Sequence, residues 1–123
     1  MKTNEVLENI KARRSVRAYT GQQVLEEDLQ AILEAATYAP SGMHLETWHF
    51  TAIQNMDKLT ELNERIKGAF AKSDDSRLQE RGHSKTYCCY YHAPTLVIVS
   101  NEPTQWWAGM DLSLIHISEP TRR

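Results

Sequence analysis

The chain has 123 residues, an apolar fraction of 41% and a formal net charge of −2, which is enough apolar material for one domain with a core. The slight acidity removes the attraction that nucleic acid or an anionic membrane requires of a partner, and no apolar run approaches the roughly 18 residues that span a bilayer. The start, Met1-Lys2-Thr3-Asn4-Glu5, lacks the apolar stretch of a secretory signal, and the two cysteines, Cys88 and Cys89, are adjacent and cannot staple distant segments, so a reducing, cytoplasmic setting is expected.

In chain order, Asn4 is placed to cap a first helix that runs to about Ala12. Glu5 then sits at its positive end, Val6, Leu7 and Ile10 form one stripe, and Lys11 to Arg14 sit at its negative end. Arg13 to Thr20 has no helical period, and Gly21 punctuates it. Leu25, Leu29, Ile32, Leu33 and Ala36 recur with helical spacing behind the acidic turn Glu26-Glu27-Asp28, and Pro40 ends that second helix by disfavouring the α conformation at Ala39.

Trp48 to Ile53 reads as a strand, with Trp48, Phe50 and Ala52 on one face and His49, Thr51 and Ile53 on the other. Asn55 is placed to cap a third helix in which Met56, Leu59, Leu62, Ile66 and Phe70 share a face. From Ala71 to Thr86 the chain is polar and predicts a loop or lid. Thr95 to Val99 is a β-branched apolar run of the kind buried on both faces of a sheet. Helices alternating with strands give a mixed α and β class.

Leu112 to Arg123 breaks the pattern, and that string is similar to the translation of a transposase adapter used in sequencing libraries. The adapter reading divides the chain into a partial domain, 1–111, and a non-native tail, 112–123; a genuine polar extension is the alternative. Setting aside Glu119, Arg122 and Arg123 moves the net charge from −2 to −3, which leaves the exclusion of anionic partners in place.

Two segments carry chemistry. Arg13, Arg14 and Arg17 surround Ser15, and forked guanidinium donors with a short hydroxyl match phosphate oxygens. A solvated basic end to the first helix explains the same residues through its dipole. Pro40-Ser41-Gly42 joins a helix to a strand, with glycine permitting close backbone approach to a ligand. Beyond it, His44 and Glu46 offer a donor and an acceptor to a planar heterocycle; an ordinary turn is the competing account. His83, Cys88, Cys89 and His92, or His44, Glu46 and His49, make poor metal sets, since adjacent cysteines seldom both reach one tetrahedral ion. Tyr87, Tyr90, Tyr91, Trp106 and Trp107 read as core and interface aromatics, with ligand stacking by one of them as the alternative.

Arg-Arg-Ser-Val-Arg, then an amphipathic helix ending in Ala-Pro-Ser-Gly, then Glu-Thr-Trp-His-Phe entering a strand, resembles the nitroreductase family. His92-Ala93-Pro94-Thr95-Leu96-Val97-Ile98-Val99 resembles its next buried strand and lead-in. The likeness covers Asn4 to Asp111, about half of a typical member. It implies an α+β nitroreductase-like fold, here its N-terminal half, with a mixed sheet flanked by helices. It also implies a homodimer with FMN at the subunit interface, NAD(P)H as reductant, and a small acceptor such as a nitroaromatic or quinone.

By the same resemblance Arg13 and Ser15, within the Arg13-Arg14-Ser15 cluster, hold the phosphate, and Arg17 lies near the flavin N1/C2-carbonyl edge. Pro40 and Ser41 line the isoalloxazine, and His44 and Glu46 reach toward FMN. No residue is assigned as general acid or base. Many members have Asn and Gln where this chain has His44 and Glu46, and the His/Glu pair looks more like the reductive dehalogenase branch. An inert fragment, and a flavin-binding protein without turnover, are the rival readings.

Overall fold

The structure is a computed model that describes residues 3–41, 43 and 46–102. Its elements run α1 (Glu5–Ala12), α2 (Glu26–Thr37), β1 (His49–Ile53), α3 (Met56–Ala71), α4 (Ser76–His83) and β2 (Leu96–Ser100). Two units divide the chain: one holds residues 1–16, 24–51 and 98–123, the other residues 17–23 and 52–97.

In the first unit, Asn4 caps α1 as its sequence predicts, its side chain accepting the Leu7 N–H at 3.0 Å. The stripe of Val6, Leu7 and Ile10 finds no cover among the described residues, and no residue of α1 is buried. α2 begins at Glu26, with the expected acidic first turn, behind Leu25 in extended backbone as the N-cap. Leu29 and Ala36 are its buried positions, and Ala36 with Ala39 forms a small core against Trp48, Phe50 and Val99. Small residues on the helix let these larger side chains pack close to its backbone.

β1 and β2 pair in a two-stranded sheet. Thr47 bonds Asn101 and the Ser100 hydroxyl bonds the His49 carbonyl at one end, while Gln54 bonds Thr95 at the other, so the strands run antiparallel. The run at 95–99 is not buried on both faces as its composition suggests. Ile98 is 40% exposed, because among the described residues the sheet has two strands and no layer over that face.

In the second unit, Asn55 caps α3 by accepting the Lys58 N–H at 3.0 Å. Leu59 is fully buried, in a core with Cys88, Tyr90 and Ala93, which stabilises the unit by about 2–3 kcal/mol for that side chain. The polar stretch expected to be a loop or lid contains α4 instead. Asp75 caps it, accepting the Arg77 N–H at 2.8 Å, and the Arg77 guanidinium returns to the same carboxylate at 3.1 Å. Gly82 lets α4 lie directly on α3, since a Cβ there would sit 2.8 Å from the Lys67 carbonyl oxygen and closer still to the Ala71 backbone. Gln23 ties residues 17–23 to this unit through the Pro94 carbonyl at 3.0 Å and the Gln54 carbonyl at 3.2 Å.

Asn63 is the buried polar residue of α3. Its Nδ2 donates to the Tyr87 carbonyl at 3.2 Å, and its Oδ1 accepts the Cys89 N–H at 3.0 Å. Beyond this clamp the chain reverses through Tyr90–Ala93, closed by the Ala93 N–H on the Tyr90 carbonyl at 3.0 Å. Tyr91 and His92 both have positive φ, 53° and 57°, the combination of a type I′ turn.

Burial pushes the Cys89 thiol above the ordinary thiol range, and the neighbouring Cys88 adds to the shift. Burial and Cys88 likewise push the Tyr90 phenol up. Both groups ionise first in the unfolded chain, so their contribution to stability is complete below the unfolded values and is lost as pH rises through the folded ones. The urea midpoint is therefore expected to hold between about pH 7 and 8 and to fall above about pH 9. A midpoint that climbs through this alkaline window would contradict the assignment; Cys89→Ser is expected to delay the fall.

Candidate functional site

Arg13 leaves α1 with φ −54° and ψ 132°, and its N–H still bonds the Asn9 carbonyl at 3.1 Å. The side chains then part company. The Arg14 guanidinium turns back onto the end of α1, donating to the Lys11 carbonyl at 2.9 Å and the Arg13 carbonyl at 2.8 Å. That is the helix-end role that the dipole predicts for a basic residue there. Arg13, Ser15 and Arg17 are exposed. Ser15 belongs with Arg13 to the first unit, and Arg17 is the first residue of the second.

The second predicted segment also lies in the first unit. Pro40 follows the Tyr38 C-cap and the buried Ala39, so the end of α2 fixes where the loop begins. Ser41 Oγ is buried and makes no hydrogen bond among the described residues. Met43 and Glu46 take positive φ, 54° and 48°, a backbone that costs a non-glycine residue on the order of 1–3 kcal/mol and clusters at binding sites. Glu46 is exposed. His44 lies outside the described residues, as do Gly42 and the segment holding Trp106, Trp107 and the tail 112–123.

Sequence reading missed two residues at the far end of this loop. Thr47 donates its hydroxyl to Asn101 Oδ1, and Asn101 Nδ2 is buried without a partner among the described residues. An amide directly after an apolar strand run was the available signal. Among the described residues no three His, Cys, Asp or Glu side chains are grouped to hold a metal ion, and no helix is long and apolar enough to cross a membrane. A cleft of about 310 Å³ in the second unit is lined by Asn63, Lys67, Lys85, Cys88 and His92 among others. None of the predicted cofactor residues borders it.

The site is thus a loop between α2 and β1 that holds the buried, unsatisfied Ser41 hydroxyl and two positive-φ residues and is bonded at its far end to Asn101, in a unit that also presents Arg13 and Ser15. Comparison with known proteins gives it a family. The model of the nitroreductase family matches residues 10–115, and the chain belongs to that family. A nitroreductase with bound FMN from Bacteroides fragilis NCTC 9343 aligns at 74% identity and a TM-score of 0.91, over 94% of this chain and 63% of that one.

A candidate NADH dehydrogenase/NAD(P)H nitroreductase from Archaeoglobus fulgidus is 38% identical over 60 residues, 49% of this chain and 34% of the relative. Iodotyrosine deiodinase 1 of Mus musculus is 34% identical over 67 residues, 54% of this chain and 24% of its own length. The chain therefore spans about a third or less of these two relatives. The expected α+β nitroreductase-like fold is what the structure and its neighbours show.

Proposed function

We propose that the chain is the N-terminal part of an FMN-dependent oxidoreductase that takes electrons from NAD(P)H and passes them to a nitroaromatic, a quinone or a similar small acceptor. The observation that carries the reading is Ser41: a buried hydroxyl without a partner, on a positive-φ loop, at a position the family resemblance assigns to the isoalloxazine. A buried polar group left unmade costs about 1–3 kcal/mol, and a polar heterocycle edge would satisfy it. The Bacteroides neighbour with FMN bound, 74% identical to this chain, supports the same cofactor.

The chain's own residues divide the work. Arg13 and Ser15 give charge-assisted and hydroxyl donors for the phosphate, while Arg14 fixes the end of α1 from which both project. By the family resemblance Arg17 would bring positive charge to the N1/C2-carbonyl edge of the ring. By the same resemblance Pro40 and Ser41 would line the ring, and His44 and Glu46 would reach toward it. When bound, FMN would supply the hydride and electron chemistry; no side chain is assigned as a general acid or base. A homodimer is proposed for the full-length protein, on the family resemblance.

A second reading follows from the His44/Glu46 pair and the deiodinase match: reductive dehalogenation of a haloaromatic by the same flavin. Mixing the protein with FMN and passing it through a desalting column is expected to give yellow protein. Arg13→Ala with Ser15→Ala is expected to weaken FMN binding by about 100-fold or more, since each of the two lost charge-assisted bonds is worth about 1.5–3 kcal/mol, and to leave riboflavin binding nearly unchanged. Colourless wild-type protein would overturn the proposal. Oxidation of NADPH or NADH with nitrobenzene or 3-iodotyrosine as acceptor separates the two substrate classes.

A further inference from the structure

Among the described residues two buried side-chain atoms, Ser41 Oγ and Asn101 Nδ2, lack hydrogen-bond partners, and both belong to the first unit. They bracket one loop. Ser41 opens it, and Asn101 is bonded to Thr47 at its close. Between them lie the positive-φ residues Met43 and Glu46.

The orientation of the Asn101 amide is fixed by its other bonds. Its Oδ1 accepts the Thr47 hydroxyl and also the backbone N–H of Glu102 at 2.8 Å. An N–H donor needs an oxygen opposite it, so the amide cannot be turned over, and the unpartnered atom is a donor. Buried donors are nearly always satisfied in native structures, and one that is not calls for a specific acceptor.

We infer that Asn101 is a cofactor-contacting residue: its Oδ1 pins the loop through Thr47, and its Nδ2 donates to a carbonyl oxygen of a bound isoalloxazine ring. A neutral amide donor is suited to a carbonyl, whereas the doubly charged phosphate is matched by the Arg13 guanidinium and the Ser15 hydroxyl. Asn101's role rests on the flavin reading proposed above, and its test separates the two. One residue thereby couples the end of β2 to the loop, so that the loop's geometry is set before the ligand arrives.

The experiment titrates the full chain with FMN and, separately, with riboflavin, following quenching of flavin fluorescence, for wild type, Asn101→Asp and Thr47→Val. Asn101→Asp keeps the acceptors for Thr47 and Glu102 and removes the donor. It is expected to weaken both flavins by about ten-fold or more at neutral pH. Relative to wild type, it should regain affinity as the pH is lowered and the new carboxyl gains a proton. Thr47→Val is expected to weaken both flavins less and without that pH dependence.

Asn101→Asp binding both flavins within two-fold of wild type overturns the role of Asn101 and leaves the flavin reading standing. Loss confined to FMN, with riboflavin unchanged, also overturns it, because the contact is then with the phosphate. Wild-type protein that binds neither flavin overturns both. If Asn101→Asp loses its helical circular dichroism, the side-chain amide resonance of Asn101 in ¹⁵N-asparagine-labelled wild type decides the matter. A shift on adding riboflavin supports the contact, and an unmoved resonance refutes it.

Discussion

Asn63→Ala is expected to destabilise the protein by about 2–4 kcal/mol, because it leaves two backbone groups unpartnered beside the core. The Tyr87 carbonyl and the Cys89 N–H are both held by this one amide, at 3.2 and 3.0 Å, and Cys88 between them is buried against Leu59. Loss of the clamp should also release the turn at 90–93, which leads directly into β2. Urea denaturation followed by circular dichroism measures the first effect, and amide hydrogen exchange at Cys89 and Ala93 the second. Asn63→Asp keeps the acceptor for Cys89 but sets a carboxylate against the Tyr87 carbonyl, so it should be no better than alanine. A loss below about 0.5 kcal/mol for Asn63→Ala, within the range of ordinary surface changes, would show that the loop is held by something else.

Gly82→Val is the second large effect, with an expected cost of about 3 kcal/mol or more. The first added carbon already meets the Ala71 backbone and the Lys67 carbonyl, and main chain cannot rotate aside as a side-chain tip can. Gly82→Ala should cost less than valine but remain unfavourable, against the usual gain of alanine over glycine in a helix of up to about 1 kcal/mol. That sign is the useful readout. If Gly82→Ala raises the thermal midpoint, α4 does not lie on α3 as described. Arg81, whose guanidinium carbon is 5.7 Å from the centre of the Tyr87 ring, offers a milder probe of how α4 is seated against the segment that follows it.

Local signals made much of this fold legible. Asn4 and Asn55 each sit ahead of an apolar period, and each caps the helix that follows. Pro40 ends the second helix because its ring acts on the residue before it, a wholly local effect. α4 escaped the periodicity argument for an equally physical reason. Leu78 is its one large apolar residue, so no stripe exists to read; the Asp75 cap and the basic last turn, Arg81 and His83, were the remaining clues. Ile98 shows the converse limit. Composition marks a residue as able to be buried, but only the number of strands around it decides whether it is.

The candidate site divides along similar lines. Arg13, Ser15 and Arg17 were legible as donors, yet nothing in their spacing tells that Arg14 alone turns back to the helix end. Ser41 was legible through its neighbours Pro40 and Gly42, while its unsatisfied hydroxyl is a property of packing. Asn101 lies 54 residues from its hydrogen-bond partner Thr47, a separation at which local pattern carries no information.

That long separation also bears on how the chain folds. β1 and β2 are neighbours in the sheet but are divided by residues 54–95, and closing a loop of that length costs on the order of 3 kcal/mol of chain entropy beyond a fixed initiation term. α3 and α4, by contrast, are adjacent in sequence and can dock early. Zipping of the strands should therefore be the slow step, reached once the helices have shortened the loop. Fluorescence of Trp48, at the mouth of β1, would then lag the recovery of helical circular dichroism during refolding.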